Sequence, residues 1–249
     1  MTAKSPQKVP MARLDRLLAN LGYGSRREVT ALVAHRQVEL DGQTVRDAGA
    51  RIALTPDLSA RMTVVGQPLD PLAPLTIILH KPLGVVCSHK EAGRSVYELL
   101  PMRWRARVPG LSTIGRLDKE TSGLLLITDD GAFLHRVISP KSDVAKRYIA
   151  SLDRPLKGDE AAVFASGALM LESETTPLAP AILEPTGPNS AALTITEGRY
   201  HQVRRMFAAV GNHVTALHRE RIGGLTLPSD LGPGEWRILS AAEQASIFG

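Results

Sequence analysis

The chain has 249 residues, a net charge of +5 and a sequence pI near 9.6. Apolar residues make up 43% and aromatics 4%, which excludes a disordered tail and predicts an aliphatic core. A single cysteine, Cys87, excludes an internal disulfide framework, and no apolar run approaches membrane-spanning length. The first ten residues lack the hydrophobic centre of a signal peptide, so a cytoplasmic protein that does not engage membranes is expected. The length suggests two domains, and the basic balance favours a polyanionic partner.

Residues 1–10 read as a flexible basic arm, and residues 11–69 as a small basic α/β unit. Leu14, Leu17, Leu18 and Leu21 recur at helical spacing, and Gly22 and Gly24 end that helix. Ser25-Arg26-Arg27-Glu28 has the capping-box form and starts a second helix that turns Val29, Leu32 and Val33 inward. Residues 38–45 then alternate around Asp41-Gly42, a hairpin signal. Three prolines within residues 67–74 favour an extended connector, and residues 70–75 are taken as the linker.

Residues 76–249 mix strands and helices without a βαβ repeat, which predicts an α+β domain around a mostly antiparallel mixed sheet with flanking helices. Strands are expected at residues 76–81, 148–152 and 191–196. Cys87 lies in an apolar stretch and reads as buried filler. The arginines of Arg103-Trp104-Arg105-Ala106-Arg107 fit either a nucleic-acid surface or a solvated loop. No matching spacing of cysteine or carboxylate accompanies His213 and His218, so no metal is expected.

The most informative stretch is Gly115-Arg116-Leu117-Asp118 and the apolar run that follows it through Ile127. A carboxylate on a glycine-bounded turn ahead of a buried strand can be held in one geometry. A second motif, Lys146-Arg147-Tyr148, opens a strand. A third, Gly198-Arg199-Tyr200-His201-Gln202-Val203-Arg204-Arg205, leads into a short amphipathic helix carrying Val203, Phe207 and Val210 on one face and stopped at Gly211-Asn212. Arg204 falls in its first turn, where a guanidinium could pair with Asp118 and keep it ionised against burial.

In this order the motifs resemble those of RNA pseudouridine synthases, in the branch that joins an N-terminal S4-type RNA-binding module to the catalytic domain and acts on ribosomal RNA. The resemblance implies that Asp118 is the essential carboxylate at the anomeric carbon. Tyr148 would stack on the target uracil and help move the C5 proton, and Arg204 would be the basic partner. Arg116 would fill the space left by the flipped nucleotide or, alternatively, pair with Glu120. Lys81, in Lys81-Pro82-Leu83-Gly84, and Arg205 would touch RNA, while Arg13, Arg16, Arg26, Arg27 and Arg36 would face the RNA backbone from the S4-like module.

Residues 197–224 look most like the enzymes of the small-subunit (16S) RNA, with free RNA and a partly assembled subunit as alternative substrates, although such enzymes carry lysine where this chain has Arg204. Large-subunit (23S) enzymes and a non-catalytic ribosome-binding factor are the competing readings. The isomerisation is neither redox nor net hydrolysis, so no cofactor is expected, and the chain is expected to act as a monomer.

Overall fold

The computed structural model describes residues 9–88 and 91–249, so all of the expected basic arm but Val9 and Pro10 lies outside it. The described chain forms two compact units, one up to Leu75 plus Leu100–Leu111, the other Thr76–Leu99 plus Ser112–Gly249. Reading residues 76–249 as one uninterrupted domain therefore needs amending. The excursion at Leu100–Leu111 clusters with the first unit because its side chains are used there, as described next.

The first unit runs β1 (Met11–Arg13), α1 (Leu14–Asn20), α2 (Arg26–Ala34), β2 (Val38–Leu40), β3 (Gln43–Thr44), β4 (Arg51–Ala53), α3 (Leu58–Arg61), β5 (Met62–Val64) and β6 (Gln67–Pro68). Leu14, Leu17, Leu18 and Leu21 are all buried, packed with Val29 and Val33 of α2. The Ser25 hydroxyl accepts from the Glu28 N–H and the Glu28 carboxylate accepts from the Ser25 N–H, the full capping box. The β2–β3 turn carries Asp41 and Gly42 at positive φ, as a two-residue hairpin turn of right twist requires.

Asp15, at the start of α1, is the electrostatic centre of this unit. Its buried carboxylate accepts from Arg13 (3.0 and 3.2 Å) and from Arg26 (2.6 and 3.2 Å), as well as from the Arg16 N–H. These donors hold its pKa down at about 2, the Arg13 hydrogen bond being the largest cause. The expected connector is also fastened. The Asp70 carboxylate takes a two-pronged ion pair from Arg103, whose guanidinium lies 4.3 Å from the centre of the Tyr23 ring. Arg107 donates to the Pro71 carbonyl, and Trp104 is buried. Arg103 and Arg107 thus serve the packing of this unit rather than an open nucleic-acid surface.

The second unit is built on β7 (Thr76–Lys81), β8 (Ser112–Ile114), β9 (Thr121–Thr128), α4 (Gly131–Ile138), β10 (Lys146–Leu152), α5 (Glu160–Ala165), β11 (Ile182–Gly187), β12 (Ser190–Ile195), α6 (Gln202–Ala209), β13 (Val214–Ile222), β14 (Leu225–Thr226), β15 (Trp236–Ile238) and α7 (Ala241–Ser246). Its sheet has the order β11-β12-β10-β13-β9-β7-β15, with β8 against β9 and β14 against β13. Every pair in it is antiparallel except β9 with β13. The mostly antiparallel mixed sheet expected from the sequence is present.

Central strand β9 has neighbours on both edges and cover on both faces. Leu124, Leu125, Leu126 and Ile127 are accordingly all fully buried, each contributing roughly 1.5–3 kcal/mol by leaving water. Gly123, at φ +112°, lies across from Arg219 of β13, where a Cβ would come within 2.2 Å of the Arg219 carbonyl oxygen. Only glycine permits β9 and β13 to approach this closely.

Asp15 makes the first unit sensitive to acid. Its folded pKa lies below its unfolded value of about 3.9, so the stabilisation is complete above about pH 5 and disappears as the pH falls toward 2. In a Trp236→Phe background, Trp104 alone reports on this unit. The urea midpoint followed by its fluorescence should fall between pH 5 and pH 2.5, and Asp15→Asn should lower the neutral-pH midpoint and flatten that fall.

Candidate active site

A cleft of about 460 Å³ opens in the second unit, lined among others by Arg116, Asp118, Thr121, Lys146, Tyr148, Glu197, Arg199, His201, Arg204 and Arg219. Asp118, Tyr148 and Arg204, which lie far apart in the chain, therefore share one cavity. Asp118 belongs to the turn that enters β9, and its carboxylate is about a third exposed.

The backbone of that turn is fully engaged. The Asp118 carbonyl accepts from the Thr121 N–H at 3.0 Å. The Lys119 carbonyl accepts from the Gly84 N–H at 2.9 Å and from Lys81 Nζ at 3.4 Å. The Glu120 carbonyl accepts from Arg204 Nη2 at 2.8 Å, and the Thr121 carbonyl from Lys81 Nζ at 2.8 Å. The second fork of Arg204 donates to the Val214 carbonyl at 2.8 Å, tying α6 and β13 to the same turn.

Two expectations change here. Lys81 does not touch RNA: it is fully buried, and its ammonium lies on the carbonyls of Pro82, Lys119 and Thr121. Burial, the dominant effect, pushes its pKa below the usual lysine value. A side chain at the end of a central strand must point into the protein, and the carbonyls of the adjoining turn give it partners. Arg204, in turn, makes no ion pair with Asp118. Its planar fork matches two backbone carbonyls, and these occupy both arms.

The basic side chain at the Asp118 carboxylate is the His201 imidazole, with Nε2 3.4 Å from Oδ1. His201 has positive φ at the start of α6, and its ring is stacked on Tyr200 with centroids 3.9 Å apart. In the sequence His201 reads, with Gln202, as a brace for the helix start, a role that gives no hint of its approach to Asp118. Its adjacency in sequence to the Gln202–Arg204 helix start was the only available signal.

Tyr148, on β10, is buried with its hydroxyl 3.4 Å from Arg219 Nη1. The register pairs Tyr148 with Arg219 next to a bulge between Arg147 and Tyr148. Arg219 is buried, and its Nε donates to the Leu124 carbonyl at 2.8 Å. It also went unnoticed in the sequence, although it falls two residues after Leu217, on the inward face of a strand, where an arginine is out of place. Lys146 shares the cleft, and its pKa is lowered first by burial and then by the charge of Arg219.

At the rim, Arg116 is mostly exposed and lies 3.5 Å from Glu91, so its carboxylate neighbour is not Glu120. Arg205 is not available to RNA phosphate. Its guanidinium is held by the Glu174 carboxylate and the carbonyls of Glu172 and Tyr200. Arg199 binds the same Glu174 together with Glu197, and Glu197 also accepts from Gln202 and from the Ala179 N–H. Cys87 is buried as expected, its sulfur accepting from the Leu117 N–H and its thiol pKa pushed up by burial. In the first unit, Arg13 and Arg26 are tied to Asp15, whereas Arg16, Arg27 and Arg36 are exposed.

Comparison with known proteins agrees with this arrangement. Residues 75–209 match the RNA pseudouridylate synthase family, and residues 12–54 match the S4 domain. The ribosomal small subunit pseudouridine synthase A of Escherichia coli is 42% identical over 239 residues, covering 94% of this chain and 99% of its own. The Yersinia pestis protein of the same name is 44% identical over 239 residues, with 94% and 97% coverage. A crystal structure of a pseudouridylate synthase aligns at TM-score 0.66 and 35% identity, over 94% of this chain and 99% of that one. With its three motifs gathered in one cleft and relatives matched along nearly their whole length, this chain belongs to the RNA pseudouridylate synthase family and carries an S4 domain ahead of the synthase domain.

Proposed function

We propose that the chain isomerises a uridine of small-subunit (16S) ribosomal RNA to pseudouridine in this cleft, with Asp118 as the essential carboxylate. The observation that carries this reading is an aspartate about one-third exposed on a turn whose every carbonyl is engaged, sharing a cavity with a buried tyrosine and several cations. The relatives named for the ribosomal small subunit support the choice of RNA.

In the reaction the C1′–N1 bond breaks, the freed uracil turns, and C5 bonds to C1′ while C5 loses its proton and N1 gains one. Asp118 either adds to C1′ or removes the C2′ proton, and both routes need it ionised. A carboxylate held in place ahead of the reaction avoids the entropic cost of orienting it. Tyr148 stacks on the base and is the group nearest C5, and Arg116 occupies the stack from which the nucleotide leaves, offsetting part of the few kcal/mol of flipping. Arg204 acts on the Asp118 turn rather than on the carboxylate. Exposed Arg16, Arg27 and Arg36 contact RNA phosphates, with Arg13 and Arg26 contributing what their ion pairs with Asp15 leave free. A carboxylate-pair hydrolase is disfavoured because the other acid lining the cleft with polar partners, Glu197, is committed to Arg199, Gln202 and Ala179.

Asp118→Asn should abolish pseudouridine formation in a small-subunit RNA transcript, read by chromatographic separation of the digested nucleosides, while leaving RNA affinity within a factor of about two; turnover like that of the wild type ends this reading. Lys81→Met leaves several buried carbonyls short of a donor, so it should lower the urea-derived stability by about 1–3 kcal/mol and reduce kcat more than it raises KM. Arg16→Ala and Arg27→Ala should each reduce the slope of log affinity against log salt by about one, and slopes that do not move would remove these two from the RNA contact.

A further inference from the structure

Resting on the reading above, one feature of the cleft is still without a role. Arg219 is 2% exposed, with Nε on the Leu124 carbonyl and Nη1 at the Tyr148 hydroxyl, but its Nη2 has no hydrogen-bond partner. Thr121 Oγ1, also buried and in a cleft-lining residue, has none either. The two belong together. Thr121 pairs with Leu217, and Gly123 with Arg219, in the parallel β9–β13 ladder, so both side chains leave the sheet on the same face. Among the described residues no carboxylate lies within 4.0 Å of the Arg219 guanidinium, and Asp118 is engaged with His201 instead.

A buried guanidinium with a free N–H and no counter-charge is expensive to keep, since such groups are normally paired and fully hydrogen-bonded. Lys146, the other half-buried cation of the cleft, adds to the positive field rather than offsetting it. What completes the site is therefore an electron-rich group that arrives with the ligand and reaches the cleft floor. A backbone phosphate carries a full charge and its hydration, which makes it costly to bring to a group this buried. The part of an RNA substrate that travels deepest, once C1′ is at Asp118, is the base.

We propose that Arg219 Nη2 and Thr121 Oγ1 donate hydrogen bonds to the carbonyl oxygens of the flipped uracil, and that Arg219 is a catalytic residue that stabilises the base as a leaving group. When the C1′–N1 bond breaks, its electron pair stays with the ring and spreads over N1 and the O2 and O4 carbonyls. A guanidinium fixed in a low-dielectric floor stabilises that developing charge more than it stabilises the neutral uridine, which is the condition for accelerating the step. The charge is relieved when C5 bonds to C1′ and the C5 proton is passed out while N1 is protonated, so atoms and electrons balance with no further reactant.

The test compares leaving groups. Single-turnover conversion is measured with the full-length protein on small-subunit RNA transcripts carrying uridine or 5-fluorouridine at the modified position, following loss of the starting nucleoside by reverse-phase chromatography of the digested RNA, because isomerisation leaves the mass unchanged. The fluorinated base is the more acidic and departs with less help. Arg219→Gln should slow the uridine substrate about 100-fold but the fluorinated one about tenfold or less, with RNA affinity unchanged. Thr121→Val, which keeps shape and fold, should show the same asymmetry at about a tenth of the size. Equal losses on both substrates for either variant, or a loss explained by weaker RNA binding, would overturn the assignment. If Arg219→Gln does not fold, Thr121→Val and Arg219→Lys decide by the same comparison. An active Asp118→Asn protein would instead mark failure of the underlying reading, which separates the two.

Discussion

The arrangement depends on one backbone turn, Asp118 to Thr121, whose four carbonyls are all claimed. Two come under the interior ammonium of Lys81, one under Arg204, and one closes the turn on itself. Because Lys81 ends β7 and Arg204 lies in the first turn of α6, the turn is fixed from two sides, by a strand of the sheet and by a helix beside it. The cost of aligning the carboxylate is thus met during folding rather than at each catalytic event. Charge inside this protein is spent mainly on backbone. The two cations that a sequence reading would aim at substrate or nucleophile are aimed at peptide oxygens, where charge-assisted hydrogen bonds are strongest and least exchangeable with water.

The same economy explains the arginines. Arg103, Arg199 and Arg205 are each bound to carboxylates, carbonyls or both, and Arg13 and Arg26 converge on Asp15. The count of 30 lysines and arginines therefore overstates the basic groups free to meet RNA. Of the arginines expected to face RNA, Arg16, Arg27 and Arg36 in the first unit stay exposed, as does Arg116 at the cleft rim, only loosely held by Glu91. The cleft itself is graded. Its rim carries a solvated cation and the stacked Tyr200–His201 pair, its middle carries the carboxylate, and its floor carries Arg219 with a donor to spare.

Gly123 links the fold to this gradation. With a Cβ at this position, β9 and β13 could not pair in parallel at Arg219. A glycine that looks like a flaw in an apolar strand is what lets β9 lie against β13 at Arg219, the residue that β10 in turn pairs with Tyr148.

Local chemistry made much of this legible from the chain alone. The leucine spacing of α1, the Ser25–Glu28 capping box, the Asp41-Gly42 turn and the burial of residues 124–127 all follow from interactions within a few residues, which sequence specifies directly. So did the grouping of Asp118, Tyr148 and Arg204, through motifs in a recognisable order. Which atom each side chain meets was not legible. The contacts of Lys81 with Thr121, Arg204 with Glu120 and Arg219 with Leu124 join residues 40 to 95 positions apart. They are set by strand register, a bulge beside Tyr148 and the order in which β9, β13 and β10 lie side by side. Residue type declares that a cation is present, but only the packed sheet decides whether its partner is a carboxylate, a peptide carbonyl or a ligand still to come.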